Sequence, residues 1–218
     1  VRATVKPLGS LNGLLISPGV VDPYYALIGY QPLYGGGISA ASSPQLAPGA
    51  TSFADLEASI LSIDAVYQAA GSTPAGYVQK LFLALDGRAP SPTEAATYAG
   101  ALQAGARRVD VIRSIQGTSE ALRTRVARWY RDELGSTTPL ETLKADPGVA
   151  QLAGLFASGW SDGDVRAAVL ASGSFYAAAG GTPEGFVRSL YRVLLDRDAD
   201  PDGLAYFTGE IRKAVGVG

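Results

Sequence analysis

From Ser52 onward, apolar residues recur three and four positions apart with polar residues between them. Val78, Leu81, Phe82 and Leu85 form one stripe, and Val187, Leu190, Tyr191 and Leu194 form another. Val126, Trp129, Tyr130 and Leu134 make a third, which Leu152, Leu155 and Phe156 continue. That spacing keeps returning to one face of a helix, and this part of the chain has no alternation with the period of two that marks a half-buried strand. The pattern predicts an all-α body of roughly nine or ten helices.

Helix starts are marked by caps. Ser52 with Asp55, Ser91 with Glu94, Thr138 with Glu141 and Ser161 with Asp164 each read as an N-cap with an acidic residue three positions on. Thr73-Pro74, Asp146-Pro147, Thr182-Pro183 and Asp200-Pro201 place a cap before proline, which at the first helical position loses nothing by lacking an N–H. Gly105 and Gly159 stand where a second helix should stop.

The stripes belong to a repeat. The stretch from Gly76 to Tyr98 falls on Gly185 to Phe207 without a gap, a shift of 109 residues. Thr73-Pro74 lands on Thr182-Pro183, Leu81 on Leu190, Phe82 on Tyr191, Leu85 on Leu194, Arg88 on Arg197 and Pro92 on Pro201. Upstream, the run from Leu56 falls on the run from Val165. The stripe ending in Leu134 starts a degenerate middle copy. The body therefore reads as a helical repeat module of about three units, each a helix, a loop, a helix and a short return helix. The units are placed at about 53–122, 123–180 and 181–218.

Residues 1–52 are different. They hold eight glycines, several prolines and Tyr24, Tyr25, Tyr30 and Tyr34, with Arg2, Lys6 and Asp22 as the only charges. Disordered tails are normally polar and charged, whereas this segment is apolar. Leu11 to Tyr34 has the composition of short strands between turns such as Ser17-Pro18-Gly19. It is too small to form a core alone. It reads as an extended apolar arm that packs on its own body or on a neighbouring molecule. A linker left from an upstream domain is the other reading, and the start at Val1 rather than Met fits a chain from which a segment has been removed.

The last unit stops after Leu204, Phe207 and Ile211 without a return helix, and the first helix is a return helix with no unit before it. The expectation is a head-to-tail contact in which one molecule's open C-terminal face is closed by the first helix or the arm of the next. Such a contact propagates into a ring or filament. The expected assembly contacts are Leu56, Ile60, Phe207 and Ile211 on the helical side, with Leu14, Leu15, Ile16, Tyr24, Tyr25 and Tyr30 from the arm. A fragment of a longer chain, or an arm folded back on its own body, are the plainer alternatives.

Composition narrows the chemistry. A net charge of -2 provides no basic field for nucleic acid. The apolar runs are broken by Gly, Pro or charge, so no membrane-spanning helix is expected. The chain has no Cys, His or Met. That removes disulfides, thiol catalysis, thiolate metal sites and the usual general base. It also suits an oxidant-exposed, extracellular protein. Carboxylates, Ser, Lys and Tyr are what remain for catalysis. A two-carboxylate glycosidase needs no His, but the acidic residues here fall at caps and surface positions. A Ser–Lys pair has no partner legible for Lys6, Lys80, Lys144 or Lys213.

The residues Phe186-Val187, Leu190-Tyr191, Leu194-Leu195, Arg197, Asp200, Gly203-Leu204 and Tyr206-Phe207 together resemble the bacterial domain-of-unknown-function 4214 family. The resemblance spans about 54–218, is strongest in the last copy, and leaves out the arm. It implies a helical module of secreted and surface-layer-type bacterial proteins, similar in style to phycobilisome linker domains, with no catalytic residues to carry over. The first copy departs from it at Ser91, Thr93 and Glu94, where the last has Asp200, Asp202 and Gly203.

Other constellations carry two readings each. Asp196, Asp198, Asp200 and Asp202 followed by Gly203 resemble a loop that supplies oxygen ligands to calcium. The EF-hand spacing fails, because the twelfth position from Asp198 is Gly209. The other reading makes Asp200 the cap of a helix begun by Pro201, as Ser91 does before Pro92. Arg88 and Arg197 are either ligand contacts or partners of helix-end carbonyls and inter-helix carboxylates, the second being favoured. Gly35-Gly36-Gly37 lacks the Lys of a phosphate loop and reads as a hinge. Trp129 and Trp160 read as core or interface residues. The function expected is a non-enzymatic structural subunit of a bacterial extracellular or cell-surface assembly, self-associating into a filament or layer. The alternative is a monomeric adhesion or ligand-binding module, with calcium as an optional participant. Other surface components are possible partners.

Overall fold

A computed structural model describes residues 52–214, and the backbone of residues 15–17 and 20–21 in the arm. In the arm, β1 (Leu15–Ser17) and β2 (Val20–Val21) pair antiparallel, with Leu15 opposite Val21 and Ser17 opposite Val20. The side chains of Leu14, Leu15, Ile16, Tyr24, Tyr25 and Tyr30 lie outside the described residues.

The body is all-α. Its helices are α1 (Phe53–Leu61), α2 (Asp64–Ala69), α3 (Pro74–Leu85), α4 (Pro92–Gln103), α5 (Arg108–Gln116), α6 (Ser119–Leu134), α7 (Leu140–Lys144), α8 (Pro147–Gly154), α9 (Asp162–Leu170), α10 (Gly173–Ala178), α11 (Pro183–Leu195) and α12 (Pro201–Ala214). A 3₁₀ turn over Leu155–Ser158 extends α8. That makes twelve helices among the described residues, against an expected nine or ten. The excess comes from α2 and α10, each six residues, and from the middle copy, which splits its second helix into α7 and α8.

The caps formed as the sequence indicates, with one exception. Ser52, Thr73, Ser91, Asp146, Ser161, Thr182 and Asp200 each accept a backbone N–H from the first turn of the helix they precede. Ser91 with Glu94 and Ser161 with Asp164 close full capping boxes. Thr138 does not cap. Pro139, with ψ of 141°, occupies the cap position instead, and α7 begins at Leu140. Gly105 and Gly159 end their helices with φ of 93° and 84°.

The helices build two cores. The first lies among α1 to α5 and holds Tyr77, Val78, Leu81, Phe82, Ile112 and Ile115. The second lies among α6 to α9 and holds Val126, Trp129, Val149, Val165 and Val169. Charge joins them. Arg125 on α6 meets Glu57 of α1 at 3.2 Å and Asp162 of α9 at 2.9 Å. The Gln116 amide donates to the same Glu57 carboxylate at 2.7 Å. Removing one member of such a buried set would leave the others uncompensated away from solvent.

Leu56 and Ile60 are two of the expected assembly contacts. They are 3% and 0% exposed and belong to the first core, packed with α5 and α3. The apolar face of α1 is thus taken up within the chain's own core.

Candidate functional site

The first and last copies share geometry as well as letters. Tyr67 meets Tyr77 with ring centroids 5.3 Å apart, and 109 residues on Tyr176 meets Phe186 at 5.6 Å. Phe82 meets Tyr98 at 5.7 Å, and Tyr191 meets Phe207 at 6.3 Å. Arg88 lies over the Phe82 ring and Arg197 over the Tyr191 ring, at 5.4 and 4.9 Å. A Cβ on Gly76 would come within 2.2 Å of the Ala70 carbonyl oxygen, and one on Gly185 within 2.0 Å of the Ala179 oxygen. Each glycine lets the end of a short helix pass directly beneath the start of the next.

What differs is the cover. In the first copy, α5 and α1 close over the stripe of α3, and Leu85 is 4% exposed. In the last copy, α11 and α12 pack mainly on each other, and α10 anchors them to the body. Val187 is buried there, but Leu194 is 52% exposed. Leu195, Tyr206 and Phe207 are also exposed, while Leu190, Tyr191, Leu204 and Ile211 are half-buried. Of the expected helical contacts, Phe207 is exposed on this hairpin and Ile211 is half-buried there. Leu194, Leu195 and Tyr206 also lie on it, and sequence reasoning left them out of its contact set.

The four aspartates of the following loop do not converge. Asp196 sits at the end of α11 with φ of 50°, at the position where the first copy has Gly87 with φ of 74°. Asp198 pairs with Arg192 at 3.0 Å. Asp200 accepts the Gly203 N–H at 2.8 Å and pairs with Arg197 at 3.2 Å, and the N–H first and the guanidinium next hold its carboxyl below the usual range. Asp202 lies exposed in the first turn of α12. Among the described residues no cluster of three or more acidic side chains is placed to hold a metal ion. Within the hairpin Asp196 takes a turn position, Asp198 an ion pair, and Asp200 both a cap and an ion pair.

The arginines after the stripe helices behave as inter-helix partners. Arg88 binds Glu94 at 2.7 Å and Glu120 at 2.6 Å. Lys144 meets Glu120 at 2.9 Å and donates to the Asp86 carbonyl at 2.9 Å. The Arg88 contact, ahead of all else, draws the Glu94 and Glu120 carboxyls down to about 2. Asp86 goes the other way. It is 1% exposed, its Oδ1 has no partner, and burial, reinforced by the Glu120 charge, pushes its carboxyl up to about 6. Trp129 lies in the second core, whereas Trp160 is 45% exposed. These charged groups tie helix to helix, and the described residues give no sign of a catalytic constellation. No described helix is long and apolar enough to cross a membrane.

Residues 167–215 match the family described as Domain of unknown function (DUF4214). The match takes in the last copy, from within α9 to the end of α12. No curated protein and no solved structure matches the chain.

Proposed function

We propose that this chain is a non-enzymatic structural module of a bacterial extracellular or cell-surface assembly, joined to other copies through the open α11–α12 face and the apolar arm. One observation carries the reading: the stripe that is sealed at Leu85 lies open at Leu194 in an otherwise equivalent copy. Contiguous exposed apolar surface of this kind marks an interaction site. The absence of Cys, His and Met suits an oxidising exterior. The arm adds a second contact element, rich in Leu, Ile and Tyr and nearly free of charge. Two different contacts per molecule are the minimum for a filament or layer, because a single two-fold contact closes on itself.

The test is electron microscopy with mass measurement on the intact chain and on a chain lacking residues 1–51. Extended particles from the intact chain that shrink to small species without the arm support the reading. Monomers of both chains at high concentration overturn it, and would favour a monomeric adhesion or ligand-binding module.

A further inference from the structure

We propose that the buried pair of Glu133 and Arg166 is a matching key: it admits α9 to the second core and keeps the neighbouring helix α5 out. This stands apart from the assembly reading and concerns how one chain sorts its own repeats.

The stripe helices of the two cores are built alike. Gly87 follows α3 and Gly135 follows α6, both left-handed, with φ of 74° and 62°. Counted back from them, Val78 falls on Val126, Leu81 on Trp129, Phe82 on Tyr130 and Leu85 on Glu133. The covering helices match as well. Helix α5 packs on α3 and α9 on α6, each is nine residues long, and the caps Thr118 and Ser172 follow at the same distance. In that register Val111 falls on Val165, Ile115 on Val169 and Ile112 on Arg166. Val111, Val165, Ile115 and Val169 are all at most 4% exposed, so apolar burial hardly tells α5 from α9.

One pair of positions breaks the likeness. The first core has Leu85 and Ile112 where the second has Glu133 and Arg166. The Glu133 side chain is 0% exposed and accepts the Arg166 Nε–H at 2.5 Å. Glu133 Oε2 and Arg166 Nη2 are buried with no protein partner. A buried ion pair gains little over apolar residues of similar size, whereas one half of it left alone is costly. Such a pair discriminates more than it stabilises. With α5 on α6, Ile112 would face Glu133 and strand the carboxylate. Chain order makes that error the near one. Helix α5 joins α6 through Gly117 and Thr118 alone, while α9 arrives after α7 and α8. The shorter loop costs less entropy to close.

The test is urea unfolding and refolding of the full chain, followed by circular dichroism. Arg166→Ile sets the α5 residue against Glu133. Glu133→Leu sets the α3 residue against Arg166. The double variant rebuilds the apolar pair of the first core. Each single variant should lower the folding constant by more than about tenfold, and the double variant should be more stable than either. A single variant that fails to fold supports the key when the double variant folds. With the key removed, refolding of the double variant should gain a slow phase absent from wild type, as α5 leaves α6. A double variant no more stable than the better single, singles within about tenfold of wild type, or a double-variant refolding trace that superimposes on wild type overturns the proposal.

Discussion

Tyr191 lies across the backbone of Gly203: a Cβ there would sit 2.2 Å from the Tyr191 hydroxyl oxygen and 3.2 Å from Cζ. In the first copy the equivalent pair is Phe82 and Glu94, a ring without the hydroxyl and a residue with a full side chain. The two copies thus make the α11–α12 style of corner in two matched ways. Gly203→Ala in the wild-type background forces Tyr191 off Phe207 and Arg197. The same change with Tyr191→Phe leaves only the milder Cζ approach. A double-mutant cycle by urea denaturation should give a coupling of about 1–3 kcal/mol, the usual cost of overpacking. Additive effects would contradict it.

Gly76 and Gly185 make equivalent approaches to a backbone carbonyl, which cannot rotate aside as a side chain can. Gly76→Ala should lower global stability by about 2–4 kcal/mol, in the range of severe backbone effects. Gly185→Ala should act locally, because α11–α12 shares little of either core. Amide hydrogen exchange should show α11 and α12 losing protection while α3 and α6 keep theirs.

Ser72 adopts φ of 53°, a left-handed conformation that costs a residue with a Cβ about 1–2 kcal/mol. The last copy places Gly181 there, with φ of 65°. Ser72→Gly should raise stability by up to about 1 kcal/mol, after the greater unfolded-state freedom of glycine is subtracted. A drop in the thermal midpoint would show that the Ser72 side chain contributes more than its backbone costs.

Asp86 makes stability depend on pH in a defined sense. Its carboxyl is raised from 3.8 to about 6 on folding. Its favourable contribution is complete below the unfolded pKa and is lost as pH rises through about 6. Asp86→Asn should therefore stabilise the chain by about 1–3 kcal/mol at pH 7.5 and have little effect at pH 3.5. Glu94 and Glu120 act in the opposite sense: lowered to about 2, they support the fold above their unfolded pKa and lose that support as pH falls toward 2. Both are partly exposed, so high salt should blunt their effect more than that of Asp86. Equal gains from Asp86→Asn at both pH values would contradict the buried-carboxylate account.

Much of this fold was legible because the local signals agree. Ser91 with Glu94 and Thr182 with Pro183 announce helix starts through groups only three residues apart or fewer, and such short-range chemistry can be read from one chain. The repeat register was legible for the same reason, and it carried the matched contacts of Phe82 with Tyr98 and Tyr191 with Phe207. Burial was not legible. Leu56 and Phe207 are both apolar residues on amphipathic helices, and only the packing of α5 tells which one is covered. The aspartate loop is a related case. Spacing along the chain does not say where carboxylates point, and Arg192, Arg197 and the Gly203 N–H claim three of the interactions a cation would have needed.

The central claim is that the open α11–α12 face is where copies of this chain meet. Its most direct test is molar mass by light scattering across a concentration series, for the intact chain and for Leu194→Asp. Leu194 is half exposed, so the substitution should leave helicity and thermal midpoint nearly unchanged, whereas Leu85→Asp in the sealed copy should unfold the chain. The account predicts that wild-type mass climbs with concentration and that Leu194→Asp reduces the climb. Identical mass curves for the two well-folded proteins would contradict it.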